Sequence, residues 1–138
     1  MRLVVGQKAH REMTITEDTV KAYAEITGDY NPLHFDTHFT SRTRFGRLMA
    51  QGGITTGLLH ALVAMDMPGP GTVFMNQNWN FPKPVYIGDS IRAEATVKSV
   101  RASRSMAVLE FTVTNQDGEE VLKGEAMVYQ ARPQRVDL

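Results

Sequence analysis

The chain has 138 residues, 42% hydrophobic and 22% charged, a balance typical of one soluble globular domain. Fifteen basic side chains match fifteen acidic ones, so the basic excess typical of proteins that bind nucleic acid or membrane surfaces is absent. The chain has no cysteine, which excludes disulfides, thiolate zinc sites and a cysteine nucleophile. No apolar run is long enough for a signal peptide or a membrane span. We therefore expect a cytoplasmic protein with one domain over residues 1–138 and no nucleic-acid or membrane partner.

The first predicted element is a helix that begins after Thr16. Thr16 is a suitable N-cap, and Glu17 and Asp18 fall in the first turn, where the helix dipole favours acids. Gly28 is a natural stop, and Pro32 prevents the helix from continuing. Residues 35–50 look irregular.

A second helix is predicted over residues 53–65, which are apolar on nearly all sides and therefore indicate a buried helix. The period then changes to two, which predicts strands with one apolar face. The predicted apolar faces are formed by Val73, Met75, Gln77, Trp79 and Phe81; by Ile91, Ala93, Ala95 and Val97; by Ala107, Leu109, Phe111 and Val113; and by Leu122, Gly124, Ala126 and Val128.

A sheet with one apolar face needs a cover, and the helix over residues 53–65 is the only predicted element of adequate length. The sequence thus predicts an α+β fold in which an antiparallel sheet wraps around one long buried helix. Such a sheet leaves open edges, so a homodimer is expected.

Asp29 and His34 are the strongest candidates for chemistry. Asp29 follows the C-terminal end of a helix, where the dipole disfavours a carboxylate, so its position is poor for stability. The rigid Asn31-Pro32 corner can hold Asp29 and His34 towards one cavity, where the two can share acid–base work on one water. A turn with a solvated Asp and a packed His is the alternative, and spacing alone favours it.

The run Gly28-Asp29-Tyr30-Asn31-Pro32-Leu33-His34, with Tyr23 before it, closely resembles the signature of the MaoC-like (R)-specific enoyl-CoA hydratases and related acyl thioester dehydratases. The segments 47–53 and 81–89 resemble the family's start of the buried helix and its following strand and turn. The resemblance covers nearly the whole chain and implies a hot-dog fold.

This resemblance implies a function. Asp29 and His34 would be the catalytic pair that deprotonates a water for attack on the β-carbon of a trans-2-enoyl thioester. The product would be an (R)-3-hydroxyacyl thioester of coenzyme A or acyl carrier protein. The backbone N–H of Gly52, at the start of the buried helix, would stabilise the thioester oxygen, and no metal or cofactor is implied.

The substrate-binding residues expected are Gly52, Gly53 and Asn31. Close packing explains the two glycines equally well, and Asn31 is equally compatible with a plain turn. The chain departs from the family at Gln51, where the family usually has His, which affects local hydrogen bonding at the helix start.

Several other residues are open to two interpretations. His34, Asp36 and His38 share a face if their segment is extended, which would suit a metal, but no fourth ligand is evident. His60 is expected to be a satisfied core histidine. A set of cations would either bind coenzyme A phosphates or form a solvated rim: Arg42, Arg44, Arg47, Lys83, Arg101 and Arg104. A set of methionines would either line an acyl pocket or fill the core: Met65, Met67 and Met75.

Two other functions compete with the hydratase. A hot-dog thioesterase would direct water at the carbonyl carbon, and a non-catalytic acyl-CoA-binding protein or dehydratase subunit would need a partner. The presence of both Asp29 and His34 argues against the non-catalytic alternative.

Overall fold

The computed structural model describes residues 1–132. Five antiparallel strands form one sheet in the order β1-β3-β4-β5-β2. Their bounds are β1 Lys8–Thr14, β2 Thr72–Asn80, β3 Ser90–Arg101, β4 Met106–Thr114 and β5 Glu120–Gln130. The tight turn between β4 and β5 contains Gly118 with φ 75°.

Residues 1–132 also contain four α-helices, α1 Glu17–Thr27, α2 Pro32–Phe35, α3 Thr37–Ser41 and α4 Gly52–Ala61, with a π-helical turn at Leu62–Asp66 after α4 and a 3-10 turn at Ala102–Arg104. The predicted start and stop of α1 are confirmed. The Thr16 side chain accepts a hydrogen bond from the Thr19 N–H, and Gly28 ends the helix in the left-handed conformation. None of the helices within residues 1–132 combines the length and the apolar character needed to cross a bilayer.

The core lies between the concave face of the sheet and α4, which confirms the predicted α+β architecture. The predicted inner faces of β3 and β4 are buried throughout, each residue being at most 3% exposed. From α4 and its continuation, the buried side chains are Ile54, Thr55, Leu58, Leu59, Leu62 and Val63. The opposite face of this helix is open, because Gly57, His60 and Met65 are exposed.

Three predicted features are wrong in detail. The first element is not the helix after Thr16, because β1 precedes α1 and pairs with β3. Residues 35–50 are not all irregular, because they contain α3 and the end of α2. Val73 and Met75 do not share the inner face with Trp79, because a bulge between Phe74 and Asn76 shifts the register. The two residues are 53% and 57% exposed, and Phe74 packs against the core in their place.

The two edge strands differ in character. On β1, Lys8 reaches across to Glu94 of β3 in an exposed ion pair. On β2, Val73 and Met75 are exposed, and Phe81, just beyond the strand, is 52% exposed. Charged edges discourage pairing with another sheet, whereas an apolar edge does not.

Candidate active site

The turn after α1 fixes the position of Asp29. Gly28 has φ 82°, a left-handed conformation that turns the chain away from the helix axis before Asp29. Glycine adopts this conformation with little strain, whereas other residues do not. Asp29 Oδ1 then accepts a hydrogen bond of 3.3 Å from the Asn31 N–H. Asn31 in turn caps α2, because its side-chain oxygen accepts from the Leu33 N–H at 3.0 Å. This local chain of turns holds the carboxylate next to α2.

His34 is anchored through a backbone carbonyl. Its Nδ1 lies 2.8 Å from the Met49 oxygen. A carbonyl only accepts, so Nδ1 carries the proton and, in the neutral ring, Nε2 has a free lone pair. The Met49 N–H also donates to the Leu33 oxygen at 3.0 Å, so two hydrogen bonds tie α2 to the segment that leads into α4.

The structure brings Asp29 and His34 together. His34 Nε2 lies 3.7 Å from Asp29 Oδ2, and the side chains are 9% and 41% exposed respectively. This separation is too long for a direct hydrogen bond, so both atoms remain available to a water between them. The pair therefore has the geometry of an acid–base dyad with one buried and one solvent-facing member.

The start of α4 presents free donors. Neither the Gly52 nor the Gly53 N–H has a hydrogen-bond acceptor within residues 1–132, and the N-cap Gln51 makes no side-chain capping bond. These donors and the helix dipole favour a partial negative charge at this end. The structure thus places Gly52 and Gly53 where an oxyanion could be bound.

Gln51, the departure from the family pattern, is 1% exposed. Its Nε2 donates to the Val20 oxygen of α1 at 3.1 Å. Its Oε1 is buried without a partner in the part of the chain that the structure describes. Gln51 therefore ties α1 to the start of α4.

A cavity of about 300 Å³ opens beside Gly52, with Phe45, Met49 and Phe81 among its apolar walls. Arg44 and Lys83 also line this cavity. Lys83 donates a hydrogen bond to Glu119, and this bond, with a second from Asn115, lowers the pKa of the Glu119 carboxyl. Arg44 has no ion-pair partner within residues 1–132, so it is the cation of this cavity whose charge is not already matched.

The metal interpretation of His34, Asp36 and His38 does not fit the structure. It required an extended segment, whereas residues 37–41 are helical and Asp36 caps that helix by accepting from the Phe39 N–H. Residues 1–132 contain no group of three or more His, Asp or Glu side chains that could hold a metal ion.

The expectation for His60 is wrong, because this residue is exposed. Its Nε2 lies 2.8 Å from Gln77 Nε2, and the Trp79 indole N–H donates to Gln77 Oε1 at 2.9 Å. An indole only donates, so the Gln77 oxygen must face Trp79 and its NH₂ group must face His60. His60 Nε2 is therefore an acceptor.

Sequence reasoning missed two contacts of the site. The Met49 carbonyl that anchors His34 is a backbone atom, and no residue type signals it. The other is the approach of Tyr23 to Gly53: a Cβ built on Gly53 would lie 1.7 Å from the Tyr23 hydroxyl oxygen. The Gly52-Gly53 pair was the signal for this contact, because a pair of glycines at a helix start is typical of close packing.

Comparisons with known proteins agree with this geometry. The model of the MaoC-like domain family matches residues 4–119. The chain is 39% identical to a 3-hydroxybutyryl-CoA dehydratase from Methylorubrum extorquens, over 98% of this chain and 85% of that protein. It is 34% identical to an (R)-specific enoyl-CoA hydratase from Aeromonas caviae, over 91% of this chain and 94% of the relative. The solved (R)-hydratase from A. caviae superposes with a TM-score of 0.88 at 33% identity, covering 94% of this chain and 98% of that one.

Proposed function

The chain belongs to the MaoC-like family, and from that premise we propose that it is a hydro-lyase that reversibly hydrates trans-2-enoyl thioesters to (R)-3-hydroxyacyl thioesters. The observation that carries the proposal is the Asp29–His34 pair, with both facing atoms free, in a chain whose relatives are hydratases and dehydratases.

In the forward reaction a water is held between Asp29 Oδ2 and His34 Nε2. As its oxygen bonds to the β-carbon, the pair accepts its proton, and the C=C π electrons move towards the thioester oxygen. The free N–H of Gly52 stabilises the charge that develops there. A proton then returns from the pair to the α-carbon, so atoms and charge balance without a redox partner. The Nδ1–H bond to Met49 keeps His34 in the tautomer that this role requires.

The apolar cavity beside Gly52 supports a thioester as the substrate, because it lies where the charge would be stabilised. Both coenzyme A and acyl carrier protein present a phosphopantetheine thioester, and the relatives include a 3-hydroxyacyl-[acyl-carrier-protein] dehydratase from Solanum lycopersicum at 32% identity. We propose coenzyme A thioesters, following the two bacterial relatives with the higher identities.

The test follows the enoyl thioester absorbance with crotonyl-CoA and then a longer trans-2-enoyl-CoA. Wild type is expected to bleach the signal, and Asp29→Asn to lose about 10²- to 10⁴-fold in rate because the base is gone and the shape is kept. Asp18→Asn, at the opposite end of the same helix, is the matched control and keeps its activity.

Three results contradict the proposal in different ways. Free thiol without hydration would identify a thioesterase. Activity only with acyl carrier protein thioesters would change the substrate class. An Asp29→Asn variant that is inactive because it is unfolded would give Asp29 a structural role; on dipole grounds this variant should instead be slightly more stable than wild type, and Asp18→Asn slightly less.

We also propose that the protein is a homodimer joined at the β2 edge. Support comes from the exposed Val73 and Met75 on an edge strand that has a neighbour on one side only within residues 1–132, and from the open face of α4 at Gly57 and His60. Light scattering should give about twice the protomer mass of 15.4 kDa, and Met75→Lys should lower it. A wild-type mass of 15.4 kDa would refute the dimer.

A cytoplasmic location remains a proposal that the absence of cysteine supports and cell fractionation would test.

A further inference from the structure

The hydroxyl of Tyr23 lies at the start of α4 without a partner. Tyr23 belongs to α1, and its oxygen has no hydrogen bond to any residue between 1 and 132. The side chain is half-buried and packs against the core, so its ring is held in place while the oxygen keeps a free donor. A phenol in this state has an unused hydrogen bond to give.

The position of this oxygen follows from the contact with Gly53. A Cβ on Gly53 would lie 1.7 Å from the Tyr23 oxygen and 2.4 Å from its Cζ, so the phenol occupies the space that a side chain would take. With standard bond lengths, the oxygen is at most about 4.2 Å from the Gly53 amide nitrogen. Cβ positions in a helix tilt towards its N-terminus, so the hydroxyl lies on the side to which the free N–H groups point.

A hydrogen bond between α1 and the residue before α4 also keeps Tyr23 close to Gly53. The Gln51 amide donates to the Val20 oxygen, one turn before Tyr23 on α1. Since Gln51 is the residue before Gly52, this bond fixes α1 against the same turn of α4 that carries the free donors. The unpartnered Oε1 of Gln51 is an acceptor and cannot itself stabilise a negative oxygen.

We propose that the Tyr23 hydroxyl is a catalytic residue that donates a second hydrogen bond to the thioester oxygen, beside the N–H of Gly52. Two donors at one developing charge are the usual composition of an oxyanion hole. In this arrangement α1 and the turn after it contribute one group to each half of the chemistry: the turn carries Asp29, and the helix carries the second oxyanion donor. Gly53 is required because only glycine leaves room for the phenol.

The test removes one oxygen atom. Tyr23→Phe keeps the ring that packs on Gly53 and loses only the donor, so its melting temperature should equal that of wild type. Its kcat with crotonyl-CoA should fall about 10²-fold, the usual effect of losing one oxyanion donor, with a much smaller change in KM. Tyr129→Phe, which removes an exposed hydroxyl from β5, is the matched control and should behave as wild type.

A spectroscopic measurement separates a donor from a packing role. Asp29→Asn slows turnover, so the bound enoyl thioester can be observed by infrared difference spectroscopy. Its carbonyl stretch should lie below that of the free thioester, and adding Tyr23→Phe should return it part of the way. A packing role would leave this frequency unchanged.

The inference rests on the proposed function, and the two fail differently. A wild type that hydrates no enoyl thioester overturns both. An active wild type with a Tyr23→Phe variant within about threefold of its kcat, or with an unchanged carbonyl frequency, overturns the role of Tyr23 alone.

Discussion

Two histidines lie near opposite ends of α4, His34 outside the helix and His60 within it, and they use their ring nitrogens in opposite ways. His34, tied to the segment just before α4, donates from Nδ1 to Met49 and keeps Nε2 free beside Asp29. His60, near the other end, has its Nε2 occupied by the Gln77 amide. His34 Nε2 therefore faces a carboxylate, whereas His60 Nε2 faces an N–H donor.

This difference shows that hydrogen bonding alone does not make a histidine inert or reactive. What matters is which nitrogen is bound and what the other one faces. Just before α4, the partner of His34 is the Met49 carbonyl, which fixes the tautomer and leaves Nε2 open. Near the end of α4, the Gln77 amide, which the Trp79 indole orients, donates to the corresponding Nε2 of His60.

The largest expected effect separates the two histidines by activity. His34→Ala removes one member of the proposed acid–base pair, and kcat should fall about 10²- to 10⁴-fold. His60→Ala is its matched control, because its Nε2 is already occupied, and it should stay within about threefold of wild type. Both rates are measured on crotonyl-CoA after circular dichroism confirms folding. Equal losses in the two variants would remove the distinction drawn between them.

The next effect concerns packing along α4. Gly53→Ala places a methyl group inside the Tyr23 phenol and should lower the free energy of unfolding by about 1–3 kcal/mol, as overpacking does. Gly57→Ala is one helical turn further along, where no atom lies within 4 Å of the position that a Cβ would take, and it should raise stability by about 0.5–1 kcal/mol. Urea unfolding at fixed protein concentration gives both values.

Two outcomes would be informative here. Stability of Gly53→Ala equal to wild type would mean that Tyr23 moves away without cost, and the tight contact at the start of α4 would be refuted. A destabilised Gly57→Ala would instead show that another surface covers this position, and the loss of stability should then depend on protein concentration.

Much of this fold was predictable because its signals are local. The alternation in β3 and β4 and the Thr16 and Gly28 caps depend on neighbours within a few residues, and the structure confirms them. The bulge after Phe74 was not predictable, because one extra residue inverts the faces of a strand and leaves its composition unchanged. β1 was missed because it is a short edge strand with few large apolar residues.

The site divides in the same way. Asp29 and His34 are five residues apart on a rigid turn, so the sequence could suggest that they meet, and the family resemblance pointed to the same pair. The other contacts of the site join residues far apart along the chain: His34 to Met49, and Tyr23 to Gly53. Such contacts form only when α1, α2 and α4 pack together. The Gly52-Gly53 pair signals close packing at the helix start but does not identify Tyr23 as the partner, and no residue type signals the Met49 carbonyl.

The smallest expected effect tests the fixed tautomer of His60. Gln77→Ala removes two hydrogen bonds at an exposed edge, so the free energy of unfolding should fall by only about 1 kcal/mol. In wild type, the ¹⁵N shifts of the His60 ring should report a proton on Nδ1, because Nε2 accepts from Gln77. In the variant this constraint is gone, so the Nε2–H tautomer should become populated, whereas the His34 shifts should not change because its Nδ1 remains bound to the Met49 carbonyl. A wild-type His60 that already carries its proton on Nε2 would reverse the amide orientation and leave the Trp79 indole without its acceptor.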